Sequence, residues 1–229
     1  MVLLSASEIQ AQTTAYQFKT TDGNFWKMSS LTLSDKVPGK AQVVIRSSQP
    51  QQTFLGWGTC FNELPWDAYN LLSDNDKQLL VKRMFNPYGD LRLQKGRLSA
   101  GANDYAREWY SCDEIDVNET DFEMEHFNID RDLTTIIPSI KLALAENPEI
   151  DFFCSPWSPP TWMKTNKHYA QRKTNTNGCP FNVPPYFNDQ FIDDPRYYKA
   201  YCLYFDKFIN AYKEQGINIT SLAYQNEAY

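Results

Sequence analysis

Glycine, histidine and long apolar runs are scarce in this chain of 229 residues, and each scarcity excludes a class of site. There are 9 glycines and neither a G-x-G-x-x-G nor a P-loop pattern, so nothing supports a phosphate-binding loop. With two histidines and no C-x-x-C spacing, a zinc site is disfavoured. No apolar run approaches the length of a membrane span.

Basic residues are also outnumbered, since 22 Lys and Arg stand against 28 Asp and Glu for a net charge of −6. An acidic chain without a basic tract is a poor nucleic-acid binder. Aromatic residues are abundant instead, with 14 Tyr, 14 Phe and 6 Trp. We expect a folded chain with a sizeable core and buried or free thiols. The five cysteines are Cys60, Cys112, Cys154, Cys179 and Cys202.

The first twelve residues resemble the end of a secretory signal, with small residues near a cleavage point but no charged segment before them. We expect residues 1–12 to be the remnant of an export signal, or else a disordered tail. The first interpretation predicts a secreted, periplasmic or cell-surface protein.

Residues 13–53 predict a small β segment. Residues 15–19 and 25–28 alternate apolar and polar side chains, and the intervening Asp22 and Gly23 are typical of a hairpin turn. Residues 41–46 predict a further strand. A segment of this size has too little core to fold alone.

From residue 54 onward, strands and helices alternate, which predicts an α/β fold with a parallel sheet and right-handed crossovers. Both a doubly wound sheet and a (β/α)8 barrel fit four strands and three helices. The aromatic-rich insertions all follow strands, as they do around the site of a barrel, and therefore favour the barrel. The predicted strands are residues 54–58, 96–100, 150–154 and 219–225; the predicted helices are 74–85, 130–145 with a kink at Pro138, and 195–215.

The segments that follow the four strands mix carboxylates or amides with Trp or Tyr. They are residues 60–66, 103–110, 155–164 and 225–229. A sugar needs hydrogen-bond partners for its hydroxyls and an aromatic surface for its apolar ring face. Glycosidic cleavage uses a pair of carboxylates and no cofactor. The pattern predicts a carbohydrate site with neither metal nor organic cofactor.

Three motifs resemble glycoside hydrolase family 30: GRLSAGANDY at residues 96–105, SPWSPPTWMKTN at 155–166 and QNE at 225–227. The resemblance covers about residues 15–229. It implies a (β/α)8 TIM barrel with a side β-sandwich, in which residues 54–229 form the first half of the barrel and residues 13–53 a β segment of the sandwich. It also implies retaining hydrolysis of a β-linked oligosaccharide, polysaccharide or glycolipid, such as β-1,6-glucan or glucosylceramide.

The resemblance further implies roles for five residues. Glu227 is the general acid/base, and Asn226 holds the sugar 2-hydroxyl. Asp104 and Trp157 line the subsite of the cleaved sugar, and Arg97 lies beneath the carboxylates. Because a general acid must stay protonated near neutral pH, we expect Glu227 to be buried behind the apolar end of the last strand.

Each role has a structural alternative. In the alternative interpretation, Glu227 is a solvated glutamate, Asp104 caps a turn, and Arg97 is a buried salt-bridge partner. Trp157 and Trp162 are otherwise loop plugs, and for Trp162 we favour the plug. The remaining acidic residues and both histidines in these loops are expected to be solvated or without a chemical role: Glu63, Glu108, Asp113, Glu114, His126 and His168.

The length departs from the implied fold. Residues 54–229 hold four predicted strands, or one for every 44 residues of chain. A barrel of eight strands would therefore need roughly 350 residues. The nucleophile that the resemblance places after a seventh strand has no counterpart. We therefore expect an N-terminal half that is inactive alone and self-associates through open barrel edges. The alternative is a non-catalytic carbohydrate-binding or interaction protein with Trp157, Trp162 and tyrosines as its stacking surface.

Overall fold

The computed structural model describes residues 14–33, 39, 44, 46, 48–171, 173–180 and 190–227. The chain divides into two compact units, Met1–Thr53 and Phe54–Tyr229. The predicted export signal at residues 1–12 and most of the predicted strand at 41–46 lie outside the described residues.

The first unit contains an antiparallel hairpin of β1 (Thr14–Thr21) and β2 (Asn24–Thr32). Gly23 adopts a φ of 71° in the turn, a backbone conformation that a residue without Cβ reaches at little cost. The hairpin predicted from the alternating pattern is confirmed.

The second unit is built on a parallel sheet whose strands lie in chain order, β3–β4–β5–β6. Sequential order without a reversal is the arrangement of neighbouring strands in a (β/α)8 barrel, whereas a doubly wound sheet reverses its order at a switch point. The predicted α/β class and partial barrel are confirmed. The strands are β3 (Gly58–Cys60), β4 (Lys95–Ser99), β5 (Asp151–Ser155) and β6 (Ile219–Leu222).

Two strand predictions were wrong at their bounds. The first strand begins at Gly58 rather than at residue 54, because Gly56 has a φ of 109° and takes the preceding apolar residues out of the ladder. The last strand ends at Leu222 rather than at residue 225. Beyond it, the side chain of Gln225 and the backbone N–H of Asn226 donate to carbonyls of the loop after β5.

The described part of the chain has five α-helices where three were predicted. The helix at the first loop was missed, although Asn62 and Pro65 are a cap and a first-turn proline. The long middle helix is split, since Pro138 lacks an N–H and its ring clashes with the carbonyl four residues earlier. The helices are α1 (Glu63–Asn70), α2 (Asp74–Phe85), α3 (Asp130–Thr134), α4 (Ile136–Glu146) and α5 (Pro195–Glu214), with a 3₁₀ turn at Thr161–Met163.

Helix α5 was predicted at residues 195–215 and is observed at Pro195–Glu214. Its aromatic side chains supply part of the core. Asp194 caps it by accepting from the N–H of Arg196, and Gly216 follows its end with a φ of 80°. Tyr204, Phe208 and Tyr212 are fully buried, whereas Tyr198 is exposed. No helix in the described ranges combines the length and apolarity needed to cross a membrane.

Gly96 in the middle of β4 is required by close packing. A Cβ at this position would overlap the ring of Phe152 and lie 3.0 Å from the ring of Phe61, both of which are buried. We expect Gly96→Ala to lower the free energy of unfolding by about 1–3 kcal/mol, measured by urea denaturation. Gly39→Ala is the control, since a Cβ there meets no atom within 4 Å. Equal stability of the two variants would contradict this packing.

The buried carboxyl of Asp132 makes stability depend on pH. Burial raises its pKa to about 6, although the hydroxyls of Tyr212 and Tyr110 donate to it at 2.7 and 3.0 Å. A carboxyl with a raised pKa contributes most to stability below about pH 4, and this contribution is lost as the pH rises through about 6.

Asp132→Asn keeps this position neutral at every pH. Relative to the unsubstituted chain, we expect its free energy of unfolding to increase by on the order of 2 kcal/mol between pH 4 and pH 7. Urea denaturation at several pH values measures the difference, and Asp74→Asn at an exposed helix start is the control. Parallel pH profiles for the Asp132 variant and the unsubstituted chain would contradict the assignment.

Candidate functional site

The candidate site lies at the carboxyl end of the parallel sheet, where its residues contact the guanidinium of Arg97. Its Nη2 donates to Asn226 Oδ1 at 2.5 Å and to Ser155 Oγ at 2.9 Å. The centre of the guanidinium lies 4.4 Å from the centroid of the Trp157 ring. Three of the five predicted site residues, Arg97, Trp157 and Asn226, therefore meet at one point.

The predicted salt-bridge alternative for Arg97 finds no support in the described ranges. Its side-chain hydrogen-bond partners there are neutral, the hydroxyl of Ser155 and the amide oxygen of Asn226, and no described carboxylate lies within ion-pair distance. No described carboxylate therefore balances this half-buried cation at the edge of the sheet. Such a charge favours the ionised form of any carboxylate placed beside it.

The segment after β6 rests on the loop after β5. The N–H of Asn226 donates to the carbonyl of Pro156 at 2.8 Å, and Gln225 Nε2 donates to the carbonyl of Trp157 at 2.6 Å. These bonds hold Asn226 in place for its contact with Arg97. Sequence reasoning did not identify the role of Gln225, although it directly precedes the Asn-Glu pair.

Glu227 follows Asn226 and lines a cavity of about 570 Å³ together with Trp157 and Tyr169. Its φ of 48° is in the left-handed region, which a residue with a Cβ adopts at a cost. The predicted burial of Glu227 is wrong for this structure, because the residue is exposed. Apolar residues of α5 form another part of the cavity wall: Tyr198, Tyr201, Cys202 and Phe205.

Asp104 lies on the loop after β4 and is exposed. Its charge acts on Tyr169, whose pKa is raised first by burial and then by Asp104. The alternative role of Asp104 was a turn cap. Its neighbour Asn103 makes that cap instead, because Asn103 Oδ1 accepts from the N–H of Tyr105 at 2.8 Å. No hydrogen bond joins Asp104 to Arg97 or Asn226 within the ranges that the structure covers.

Trp162 is a plug of the loop after β5, as predicted. Its ring is fully buried, and Nε1 donates to Asp113 Oδ2 at 2.9 Å. The prediction that Asp113 is solvated was wrong, since it is buried beneath this loop and burial raises its pKa to about 6. Trp162 is therefore removed from any sugar-stacking surface, which leaves Trp157 with its ring at the cavity.

Glu63 was predicted to be solvated and is instead the buried centre of an ionic cluster. Arg131 donates to its two oxygens at 2.7 and 2.9 Å, and the N–H of Arg107 donates at 2.8 Å. Burial alone would raise the pKa of Glu63, but the Arg131 hydrogen bonds hold it below its ordinary value. Asn103 Nδ2 also donates to Asn62 Oδ1, so α1 anchors the loop that carries Asp104.

The other polar residues singled out from sequence lie away from Arg97. Glu108 and Glu114 are exposed as predicted. His126 pairs with Asp121 at 3.0 Å, and this hydrogen bond raises the pKa of His126. None of the five cysteines forms a disulfide, and Cys112, Cys154 and Cys179 are buried. No cluster of three His, Cys, Asp or Glu in the described residues is arranged to hold a metal ion.

Comparison with known proteins agrees with this geometry. Residues 54–229 match the model of the glycosyl hydrolase family 30 TIM-barrel domain. Putative glucosylceramidase 1 of Caenorhabditis elegans is 30% identical over 190 residues, which cover 82% of this chain and 33% of that protein. Endo-1,6-beta-D-glucanase neg1 of Aspergillus fumigatus is 28% identical over 181 residues, which cover 79% and 36%.

A solved structure is similar as well. The endo-beta1,6-glucanase BT3312 superimposes with a TM-score of 0.62 at 27% identity, and the match covers 80% of this chain and 37% of that chain. The chain thus spans about a third of the length of the relatives that it matches.

The two carboxylates that pair with Arg131 provide a matched test of the ionic cluster. Glu63 is 1% exposed and Glu108 is 71% exposed at the side chain. We expect Glu63→Gln to lower the free energy of unfolding by about 2–4 kcal/mol, because it leaves a partly buried guanidinium without its main counter-charge. Glu108→Gln should cost less than about 1 kcal/mol. Equal losses in chemical denaturation would contradict the assignment.

Proposed function

Because the chain belongs to glycosyl hydrolase family 30, we propose that it forms the sugar-binding and proton-donating part of a retaining β-glycoside hydrolase. The observation that carries the proposal is the hydrogen bond from Arg97 to Asn226 beside the cavity that Glu227 lines. It supports a site at the carboxyl edge of the sheet, where a (β/α)8 barrel builds its chemistry.

In this proposal Glu227 acts as the general acid/base. It donates a proton to the glycosidic oxygen as the bond to the sugar breaks, and later accepts a proton from the water that releases the sugar. Exposure to the cavity leaves its carboxyl accessible to both reactants. The nucleophile of the retaining reaction is supplied by a carboxylate outside these 229 residues.

Asn226 and Trp157 bind the sugar whose bond is cleaved. Because Asn226 Oδ1 is occupied by Arg97, its Nδ2 group remains to donate to the sugar 2-hydroxyl. The Trp157 ring lines the cavity, where the apolar face of a pyranose can stack on it. Asp104 completes the subsite by accepting from further hydroxyls.

Arg97 has an electrostatic part in this scheme. Its charge, balanced by no described carboxylate, would keep the incoming nucleophile ionised, as a nucleophile must be. The same charge would oppose protonation of Glu227. The scheme therefore places the nucleophile closer to Arg97 than Glu227 is, so that one carboxyl stays charged while the other carries the proton.

The substrate class in this proposal is a β-linked glucoside, either an oligosaccharide of β-1,6-glucan or a glucosylated lipid. The names of the relatives support both choices, one being an endo-1,6-beta-D-glucanase and another a putative glucosylceramidase. The reaction needs no metal or organic cofactor, because two carboxylates suffice.

A non-catalytic carbohydrate-binding protein is the second candidate. The exposure of Glu227 favours it, because a general acid near neutral pH ordinarily gains its proton from burial. Both candidates predict sugar binding at the same cavity. They differ in whether the chain, alone or fused to the remaining part of a barrel, cleaves the sugar.

Hydrolysis of an activated aryl β-glucoside separates the two candidates. We expect no turnover by the purified 229-residue chain, and turnover after in-frame fusion of residues 54–227 to the part of BT3312 that follows its matching segment. Glu227→Gln in the fusion should lower kcat at least about 100-fold, because water then lacks its general base in the step that releases the sugar, while calorimetry shows that sugar binding persists.

Two outcomes would count against the hydrolase proposal in different ways. Turnover by the 229-residue chain alone would show that the nucleophile lies within it. A fusion that folds by circular dichroism and binds sugar without turnover would favour the binding protein.

A further inference from the structure

Trp109, on the loop after β4, keeps 47% of its surface exposed although two aromatic rings hold it. The ring of Tyr169 stacks on it at 5.3 Å between centroids with an interplanar angle of 13°. The ring of His168 meets it edge-on at 4.9 Å and 89°. The indole is thus supported from behind while much of it faces solvent.

Both supporting rings are themselves held in place. The hydroxyl of Tyr169 donates to the carbonyl of Ala102 at 2.9 Å, and Lys164 Nζ donates to the carbonyl of Tyr169 at 2.6 Å. The N–H of Ala170 donates to His168 Nδ1 at 3.0 Å. The orientation of Trp109 is therefore fixed before any ligand arrives, which reduces the entropy lost on binding.

Tyr169 connects Trp109 to the cavity. It stacks on Trp109 and also lines the cavity with Trp157 and Glu227, so one side chain separates the exposed indole from the proposed cleavage site. Asp104 lies on the same loop as Trp109, and its charge acts on Tyr169. A ligand longer than one sugar would leave the cavity past these groups.

We propose that Trp109 forms an outer subsite, in which a second pyranose ring of a β-linked glucose oligomer stacks on the indole. The inference rests on the proposed function, because the cavity must hold the first sugar. His168 supplies a polar group at the edge of this platform. Since its Nδ1 accepts from Ala170, its Nε2 carries the proton and can donate to a sugar hydroxyl.

Calorimetry with two ligands tests the subsite in the 229-residue chain. Methyl β-glucoside occupies one ring position, whereas a β-1,6-linked glucose tetrasaccharide reaches beyond the cavity. We expect Trp109→Ala to weaken binding of the tetrasaccharide about five- to tenfold and that of methyl β-glucoside less than about twofold. Trp109→Phe should retain most of the affinity for the tetrasaccharide.

Trp57→Ala is the matched control. Trp57 is 68% exposed and precedes β3, at the opposite end of the sheet, so its removal should change neither affinity. An unchanged affinity of Trp109→Ala for the tetrasaccharide, or an equal loss for both ligands, would overturn the subsite while the proposed function stands. Failure of the unsubstituted chain to bind either ligand would overturn both.

Discussion

The guanidinium of Arg97 ties together the ends of three neighbouring strands, and the candidate site depends on this contact. Arg97 belongs to β4, Ser155 ends β5 and Asn226 follows β6. Parallel strands end at one edge of a sheet, which brings these residues together although Asn226 is 129 positions from Arg97. Without the guanidinium, Asn226 would lose the hydrogen-bond partner of its amide oxygen.

The parts of the fold that follow from local pattern could be predicted from the sequence. The hairpin turn at Gly23, the bounds of α5 and the alternation of strands and helices each depend on neighbouring residues. Given the parallel sheet, the meeting of the three residues follows from their places, since Arg97 lies in β4 while Trp157 and Asn226 follow β5 and β6. The topology alone does not indicate the roles of these residues, which were inferred from the resemblance to glycoside hydrolase family 30.

Burial of the acidic residues could not be predicted, because it depends on distant partners. Glu63 is buried through Arg131, 68 positions away, and Asp113 through Trp162, 49 positions away. No local spacing shows either contact. The exposure of Glu227 was missed for the same reason, since its surroundings are set by the elements that pack around the cavity. Carboxylates in such loops therefore need tertiary contacts before they can be assigned as solvated or catalytic.

A crystal structure of the chain with methyl β-glucoside tests whether a sugar binds where Arg97, Asn226 and Trp157 meet. We expect a pyranose in the cavity, with its ring face on Trp157 and its 2-hydroxyl within hydrogen-bond distance of Asn226 Nδ2. A sugar bound elsewhere, or an empty cavity at saturating ligand, would contradict this expectation.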